Sequence, residues 1–334
     1  MTRVAVIGLG RAGCGTPSDP PRSHIGAVLA VNGMELIAAV DPLPEARELA
    51  RLTWRLPASV SLLADIAELP AAAAEVIAVA TPTAMRRPSV LAALQKKPKL
   101  LIVEKPLAAS LAEGKGIADR AQEQGVALRV NFHRRFDPGH RAFRGALKTD
   151  PQFVICRYGK GLFNYASHMV DLLIDWFGPV ESVEALSGAS GAGDPNISFR
   201  LHMARGFDAL FVGIDGLGYD QFEADFYLPD QRFELAAGGV EKRRYRAIPD
   251  RFYKGYVQLG PAEDVAPQQL VGGFFELYQS AHAHLTGGAP LGGCGPDDAL
   301  HGLAVLEAAL ASARGGGNPV AVSGESVGAA RAMR

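Results

Sequence analysis

Through the first 130 residues, short apolar runs alternate with longer helix-like stretches. Arg3–Ile7, Glu35–Val40, Glu75–Ala80, Leu100–Val103 and Val126–Val130 predict strands, because uninterrupted apolar runs belong to strands covered on both faces. Between them lie Ile25–Asn32, Pro44–Leu52, Arg86–Lys96 and Ser110–Gln124, each long enough for a crossover helix. The alternation predicts an α/β fold with a Rossmann-type doubly wound parallel sheet.

The texture changes after about Val130. A helix is predicted at about Asp137–Lys148, a strand at about Phe153–Tyr158 and a helix at about Tyr165–Phe177. The segments Ile197–His202, Phe207–Val212, Gln221–Tyr227 and Arg232–Ala236 follow, separated by Gly, Pro or Asp. They predict a large open, mostly antiparallel sheet. Helical patterns return at about Pro267–Thr286 and Asp297–Arg314, and Gly315-Gly316-Gly317 stops the last before a closing run at Pro319–Val322. The expected organisation is two domains sharing a cleft: residues 1–130 binding a dinucleotide, and residues 131–334 binding substrate and mediating oligomerisation.

Composition narrows the function classes. The 334 residues are 48% hydrophobic and 21% charged, which is ordinary for a globular protein. Lys plus Arg (34) balances Asp plus Glu (35), so the broad field that attracts nucleic acid or anionic membranes is missing. No apolar stretch approaches the roughly 20 residues of a membrane span. The first residues lack a signal-peptide pattern, so a cytoplasmic protein is expected. Three widely spaced cysteines, Cys14, Cys156 and Cys294, form no metal-binding pattern, and no metal is expected.

Gly8-Leu9-Gly10-Arg11-Ala12-Gly13 directly follows the first strand, where a G-x-G-x-x-G brings backbone N–H groups against a pyrophosphate. Asp41 ends the second strand, where a carboxylate accepts both ribose hydroxyls and repels a 2′-phosphate; NAD is expected in preference to NADP. The competing reading of Asp41 is a turn residue before Pro42. It lies farther from the glycines than the usual spacing of about 20 residues, and the excess fits an insertion, Cys14–Arg22. Either this insertion is a loop over the cofactor, or the helix starts late and the pyrophosphate contact changes. Thr81-Pro82-Thr83 either borders the cofactor or caps a helix. In Glu104-Lys105-Pro106, the lysine follows a central strand, so it projects into the crevice where ligands bind, and Pro106 permits a cis peptide.

These motifs, with Leu107-Ala108, with Asn131 and Arg134-Arg135-Phe136-Asp137-Pro138, with Ser167-His168-Met169-Val170-Asp171, and with the late Asp297-Asp298-Ala299-Leu300 segment, resemble the Gfo/Idh/MocA family (glucose–fructose oxidoreductase, inositol dehydrogenase, rhizopine catabolism). The resemblance implies an NAD(P)-binding Rossmann domain, a second α/β domain with an open sheet, and redox chemistry at a carbon of a sugar, cyclitol or nucleotide sugar. Homodimers or homotetramers built through that sheet are also implied. Carried over, Lys105 and His168 are the catalytic pair. Asn164 stands where the family commonly has Asp, and Arg86 where Thr-Pro-x-x-x-His ends in His; the second change carries less weight in this reading.

At about 100° per residue, Asn164, His168, Asp171 and Asp175 share one helical stripe, facing either water or the cleft. In the expected mechanism neutral His168 takes a hydroxyl proton, Lys105 stabilises the developing negative charge and Asn164 orients a neighbouring hydroxyl. Asn131 and Arg135 complete the expected substrate set. A cofactor-binding sensor that has lost turnover is the competing reading, motivated by Asn164 and the lengthened glycine region. Lys242, Arg243, Arg244 and Arg246, interleaved with Tyr245, Phe252 and Tyr253, suit either an anionic sugar or a solvated strand. His24 carries little signal by itself.

Overall fold

The structure is a computed structural model that describes residues 1–188, 193–267 and 272–322. Its first elements are β1 (Thr2–Ile7), α1 (His24–Ala30), β2 (Met34–Val40), α2 (Pro44–Trp54), β3 (Ser61–Leu63), β4 (Val76–Val79), α3 (Thr83–Leu94), β5 (Leu100–Val103), α4 (Leu111–Glu123) and β6 (Ala127–Val130). Next come α5 (Pro138–Ala146), β7 (Phe153–Tyr158), a π-turn at Leu162–Ala166, α6 (Ser167–Phe177) and β8 (Val180–Ala185). The remaining strands are β9 (Phe199–Met203), β10 (Asp208–Gly213), β11 (Phe222–Leu228), β12 (Gln231–Ala236), β13 (Glu241–Pro249), β14 (Val257–Leu259) and β15 (Glu263–Asp264). Helices α7 (Gly273–Gly287) and α8 (Pro296–Arg314) and strand β16 (Val320–Ala321) are the last elements among the described residues. The start of the helix expected at Pro267–Thr286 falls partly on residues 268–271, outside the described residues.

The chain divides into two compact units. One is Met1–Asp137 with Gly272–Leu300; the other is Pro138–Val271 with His301–Arg334. The division expected at 130/131 therefore lies at 137/138, and a late segment returns to the first unit. The reason is apolar: Phe274, Leu277, Tyr278 and Ala281 of α7 are buried in the same core as Ile25, Val28 and Leu36.

The first unit holds a six-stranded sheet in the order β3-β2-β1-β4-β5-β6, parallel throughout. Strands β4 and β5 are buried along their whole length, which explains their continuous apolar sequences. The order reverses between β1 and β4, and in such sheets ligands bind beyond the carboxyl ends at that point. Gly8, Ala80 and Glu104 follow directly on β1, β4 and β5.

In the second unit the strands run β14-β13-β12-β11-β7-β10-β9-β8-β16, with β15 on β13. The β7–β10 pair is parallel and its neighbours are antiparallel, as the mostly antiparallel expectation allows. Burial alternates along β7 and β9, the signature of a sheet with one covered face. That face packs Phe143, Trp176, Phe177, Phe226 and Phe233 into one cluster.

Candidate functional site

The glycine loop separates what the fold needs from what a ligand needs. Gly8 has φ +87°, and a Cβ there would lie 2.7 Å from the Ala80 carbonyl oxygen. At Gly13 a Cβ would lie 1.8 Å from the Gly8 oxygen, whereas at Gly10 it would meet nothing within 4 Å. Gly8 and Gly13 thus close the turn, and Gly10 keeps an open approach to the backbone, the division of labour a pyrophosphate site requires. Arg11 is exposed beside them.

The insertion resolves toward a late helix. Ser23 caps α1, its Oγ accepting from Gly26 N, and the N–H groups of His24 and Ile25 donate to the carbonyls of Ala12 and Gly13 at 2.8 and 3.0 Å. The chain leaves the turn at Cys14 and rejoins it at His24. The first amides of α1 therefore bond to the glycine loop itself, and the loop backbone around Gly10 is left open.

Asp41 takes the expected turn role and also ties to the glycine loop. Its Oδ2 accepts from Leu9 N at 2.9 Å, joining the second strand's end to the glycine loop, while Oδ1 accepts from Leu43 N at 3.0 Å as a turn aspartate does. Pro82 is the N-cap of α3 and makes no side-chain cap bond, so Thr81 is not the cap. The Thr81 hydroxyl oxygen is buried without a hydrogen-bond partner among the described residues, as is Asn131 Oδ1. Buried polar atoms nearly always have partners, so both point to a ligand. With Gly10, Asp41, Thr81 and Asn131 arranged this way, the first unit fits a nicotinamide dinucleotide.

Beneath the loop lies a polar chain that the sequence reading missed. His24, fully buried, sets Nδ1 2.7 Å from the Tyr278 hydroxyl and Nε2 3.1 Å from Glu104 Oε1. Asn131 Nδ2 donates to the same oxygen at 2.5 Å. Burial pushes the Glu104 carboxyl up, but the His24 bond and charge, the Asn131 amide and the Arg86 charge outweigh it and hold the carboxyl below its ordinary value. Tyr278 is driven well above its ordinary value by burial and by the Glu104 charge.

The sign of a pH effect follows. A lowered folded-state value means that Glu104's contribution is complete above its unfolded value of about 4.3 and disappears as pH falls through the lower folded value. Glu104→Gln is expected to be less stable than wild type at pH 7, with the gap in urea midpoint closing toward pH 3. A constant gap across that range would show that Glu104 is not held as an anion.

Arg86 is buried and joins two loop segments through three carbonyls. Its Nε and Nη2 donate to the Thr81 carbonyl at 3.1 and 2.7 Å, and Nη1 donates to the carbonyls of Glu104 and, at 2.7 Å, Pro106. Burial pulls its guanidinium down to about 10, opposed by Glu104. The departure given little weight in the sequence thus occupies the centre of the site. Lys105 sits between the two carbonyls, in the expected cis linkage to Pro106.

Arg135, expected at the substrate, is buried and pairs with Asp298 at 2.7 Å, which gives it a structural role within the first unit. The basic strand resolves likewise. Lys242 is buried and donates to the Val240 carbonyl at 3.0 Å; Arg243 pairs with Glu241 and Glu234, and Arg244 and Arg246 with Glu263. Arg243, Arg244 and Arg246 are met locally by carboxylates, as a solvated strand allows, whereas Lys242 is buried.

In the second unit the expected single helix begins as the π-turn, a feature common at functional sites. Asp194 accepts from the N–H groups of Phe163 and Asn164 at 2.9 and 2.8 Å, and a Cβ at Gly161 would meet its Oδ2 at 2.2 Å. The candidate stripe does not simply face water: His168 and Asp171 are buried, whereas Asn164 and Asp175 are exposed. Among the described residues no group of His, Cys, Asp and Glu is arranged to hold a metal ion, and no helix is long and apolar enough to cross a membrane.

Residues 2–132 match the family described as an oxidoreductase family with an NAD-binding Rossmann fold. Over 145 residues the chain is 34% identical to scyllo-inositol 2-dehydrogenase (NAD(+)) of Bacillus subtilis (strain 168). That alignment covers 42% of this chain and 38% of the length of that relative. An oxidoreductase from Agrobacterium radiobacter, solved with NAD+, L-tartaric acid and magnesium, shares the fold over 96% of this chain and 98% of its own, with a TM-score of 0.76 and 18% identity. The WlbA dehydrogenase from Bordetella pertussis, solved with NADH and UDP-GlcNAcA, does so over 96% and 98% with a TM-score of 0.73 and 20% identity. The likeness to the Gfo/Idh/MocA oxidoreductase family is thus carried by the NAD-binding Rossmann domain, residues 2–132.

Proposed function

We propose that this protein transfers hydride between NAD and a secondary alcohol or ketone carbon of a sugar, cyclitol or nucleotide sugar. The observation that carries the reading is the Glu104-Lys105-Pro106 turn: it is fixed by Arg86 and Glu104 beyond the carboxyl end of β5, on the sheet whose β1 leads into the glycine loop. The matched relative is an inositol dehydrogenase by name, and a solved neighbour holds a nucleotide sugar, which supports the substrate class. Asp41 supports NAD over NADP, since its carboxylate would repel a 2′-phosphate.

The nicotinamide, when bound, supplies the hydride acceptor or donor. The chain does the rest. Lys105 binds the reacting oxygen and stabilises its developing negative charge. His168, neutral in the oxidation direction, accepts the hydroxyl proton, and in reverse it returns the proton to a ketone oxygen. Asn164 cannot titrate, so it orients a neighbouring hydroxyl rather than relaying a proton. Assembly into a homodimer or homotetramer through the ten-stranded sheet belongs to the same reading.

The test is a screen of cyclitols, hexoses, uronates and nucleotide sugars with NAD+, following NADH absorbance. Turnover with at least one of them is expected. Ligands that raise the thermal midpoint without any nicotinamide reduction would instead identify a sensor.

A further inference from the structure

We infer that Arg86 and His24 are positioning residues that hold Lys105 in place by immobilising the peptide on either side of it. The inference rests on the proposed role of Lys105 and adds two residues to which that role assigns nothing.

Arg86 acts from one side. A single buried guanidinium reaches the carbonyls of Thr81, Glu104 and Pro106, so the residues before and after Lys105 hang from one rigid, planar donor set. A lysine at position 86 presents a point charge with no fork and cannot span the same three acceptors.

His24 acts from below. The Glu104 side chain points to an imidazole that is itself fixed twice: its backbone N–H bonds to Ala12 O at 2.8 Å, and its Nδ1 meets the Tyr278 hydroxyl. Phe274 lies edge-on to the ring at 5.2 Å. The imidazole therefore has one orientation, with Nε2 directed at Glu104. Around this carboxylate stand His24, Asn131 and Arg86, and Glu104 N bonds to Val79 O at 2.9 Å.

Burying such a group is costly, and well-packed apolar residues of similar volume often serve stability as well or better. Stability alone gives little reason for it. Geometry gives one: a catalytic side chain must be held within about half an ångström, and support for it comes from residues whose own rotamers are locked. The turn built from Glu104, Lys105 and Pro106 has its two outer members tied at carbonyl and carboxylate, which meets that requirement.

Four variants test this: Arg86→Met and Arg86→Lys, His24→Phe and His24→Gln. Two readouts are used. The first is hydrogen exchange by mass spectrometry on the peptide spanning Val103–Leu107, without substrate. The second is steady-state kinetics, with the NADH Kd measured separately. Arg86→Met and His24→Phe are expected to speed exchange of that peptide by about 10-fold or more, and to lower kcat by about 100-fold, the loss that ~1 Å of misplacement causes. The NADH Kd of His24→Phe should stay within about threefold, since the bond from residue 24 to the glycine loop is made by its backbone N–H; Arg86→Met is expected to weaken NADH binding as well, because Arg86 also holds the Thr81 carbonyl. Gln retains a donor for Glu104 and an acceptor for Tyr278, so His24→Gln should restore both readouts most of the way; Arg86→Lys should not.

Wild-type exchange in Arg86→Met and His24→Phe would overturn the inference whatever the kinetics. So would accelerated exchange with kcat unchanged. Failure of the wild type to oxidise any substrate would defeat the proposed function alone, because the exchange readout does not depend on turnover.

Discussion

Gly13→Ala is expected to abolish NADH binding and destabilise the first unit by about 3 kcal/mol, at the upper end for overpacking. The added Cβ would sit 1.8 Å from the Gly8 carbonyl oxygen. Gly8 has no room to rearrange toward β4, since a Cβ built on it would lie 2.7 Å from the Ala80 oxygen. Gly10→Ala is the paired result. A methyl group there meets no protein atom within 4 Å, so the thermal midpoint should hold, while NADH binding weakens by about 10-fold or more because the pyrophosphate must approach that backbone closely. Fluorescence titration of NADH and thermal unfolding of both variants check the pair. Wild-type affinity in Gly10→Ala would mean that the dinucleotide lies elsewhere.

Lys105→Met and His168→Ala are each expected to lower kcat by about 10²–10⁴-fold, the range for removing a charge-stabilising donor or a general base. The NADH Kd should change by less than about threefold, because neither residue belongs to the glycine loop. His168→Ala should also lose the pH limb that a base titrating near neutrality imposes on kcat/KM, whereas Lys105→Met should keep it. Single-turnover hydride transfer reads both variants directly. Rates near wild type in either would remove that residue from the mechanism.

The parallel sheet was legible because its central strands are buried on both faces and therefore read as unbroken apolar runs. Leu100–Val103 and Phe153–Tyr158 match their strands end to end. Edge strand β3 has only three residues, and β8, Val-Glu-Ser-Val-Glu-Ala, neither alternates strictly nor forms an apolar run; neither raised a signal. The π-turn escaped because a period near 3.6 describes the helix that follows it and not the widened turn before it.

The site was legible where chemistry is local, in Gly8–Gly13, Asp41 and Glu104-Lys105-Pro106. What stayed hidden joins residues far apart in the chain: His24 meets Glu104 and Tyr278 across 80 and 254 positions, and Arg135 meets Asp298 across 163. Periodicity carries no information at such separations. One cue was available, since a buried arginine in place of a neutral histidine must find several acceptors, and loop carbonyls were the nearest candidates.

The return of α7 to the amino-terminal core bears on synthesis. A ribosome releases the first 137 residues long before Phe274, Leu277 and Tyr278 emerge, and until then Ile25, Val28 and the His24 ring lack their cover. Domains that are contiguous in sequence can mature in order as they leave the tunnel; here the leading portion must wait, partly assembled, until residues 274–281 have emerged. A fragment ending at residue 137 should accordingly be a poor excised dinucleotide-binding module, and one carrying residues 272–300 on a linker a better one.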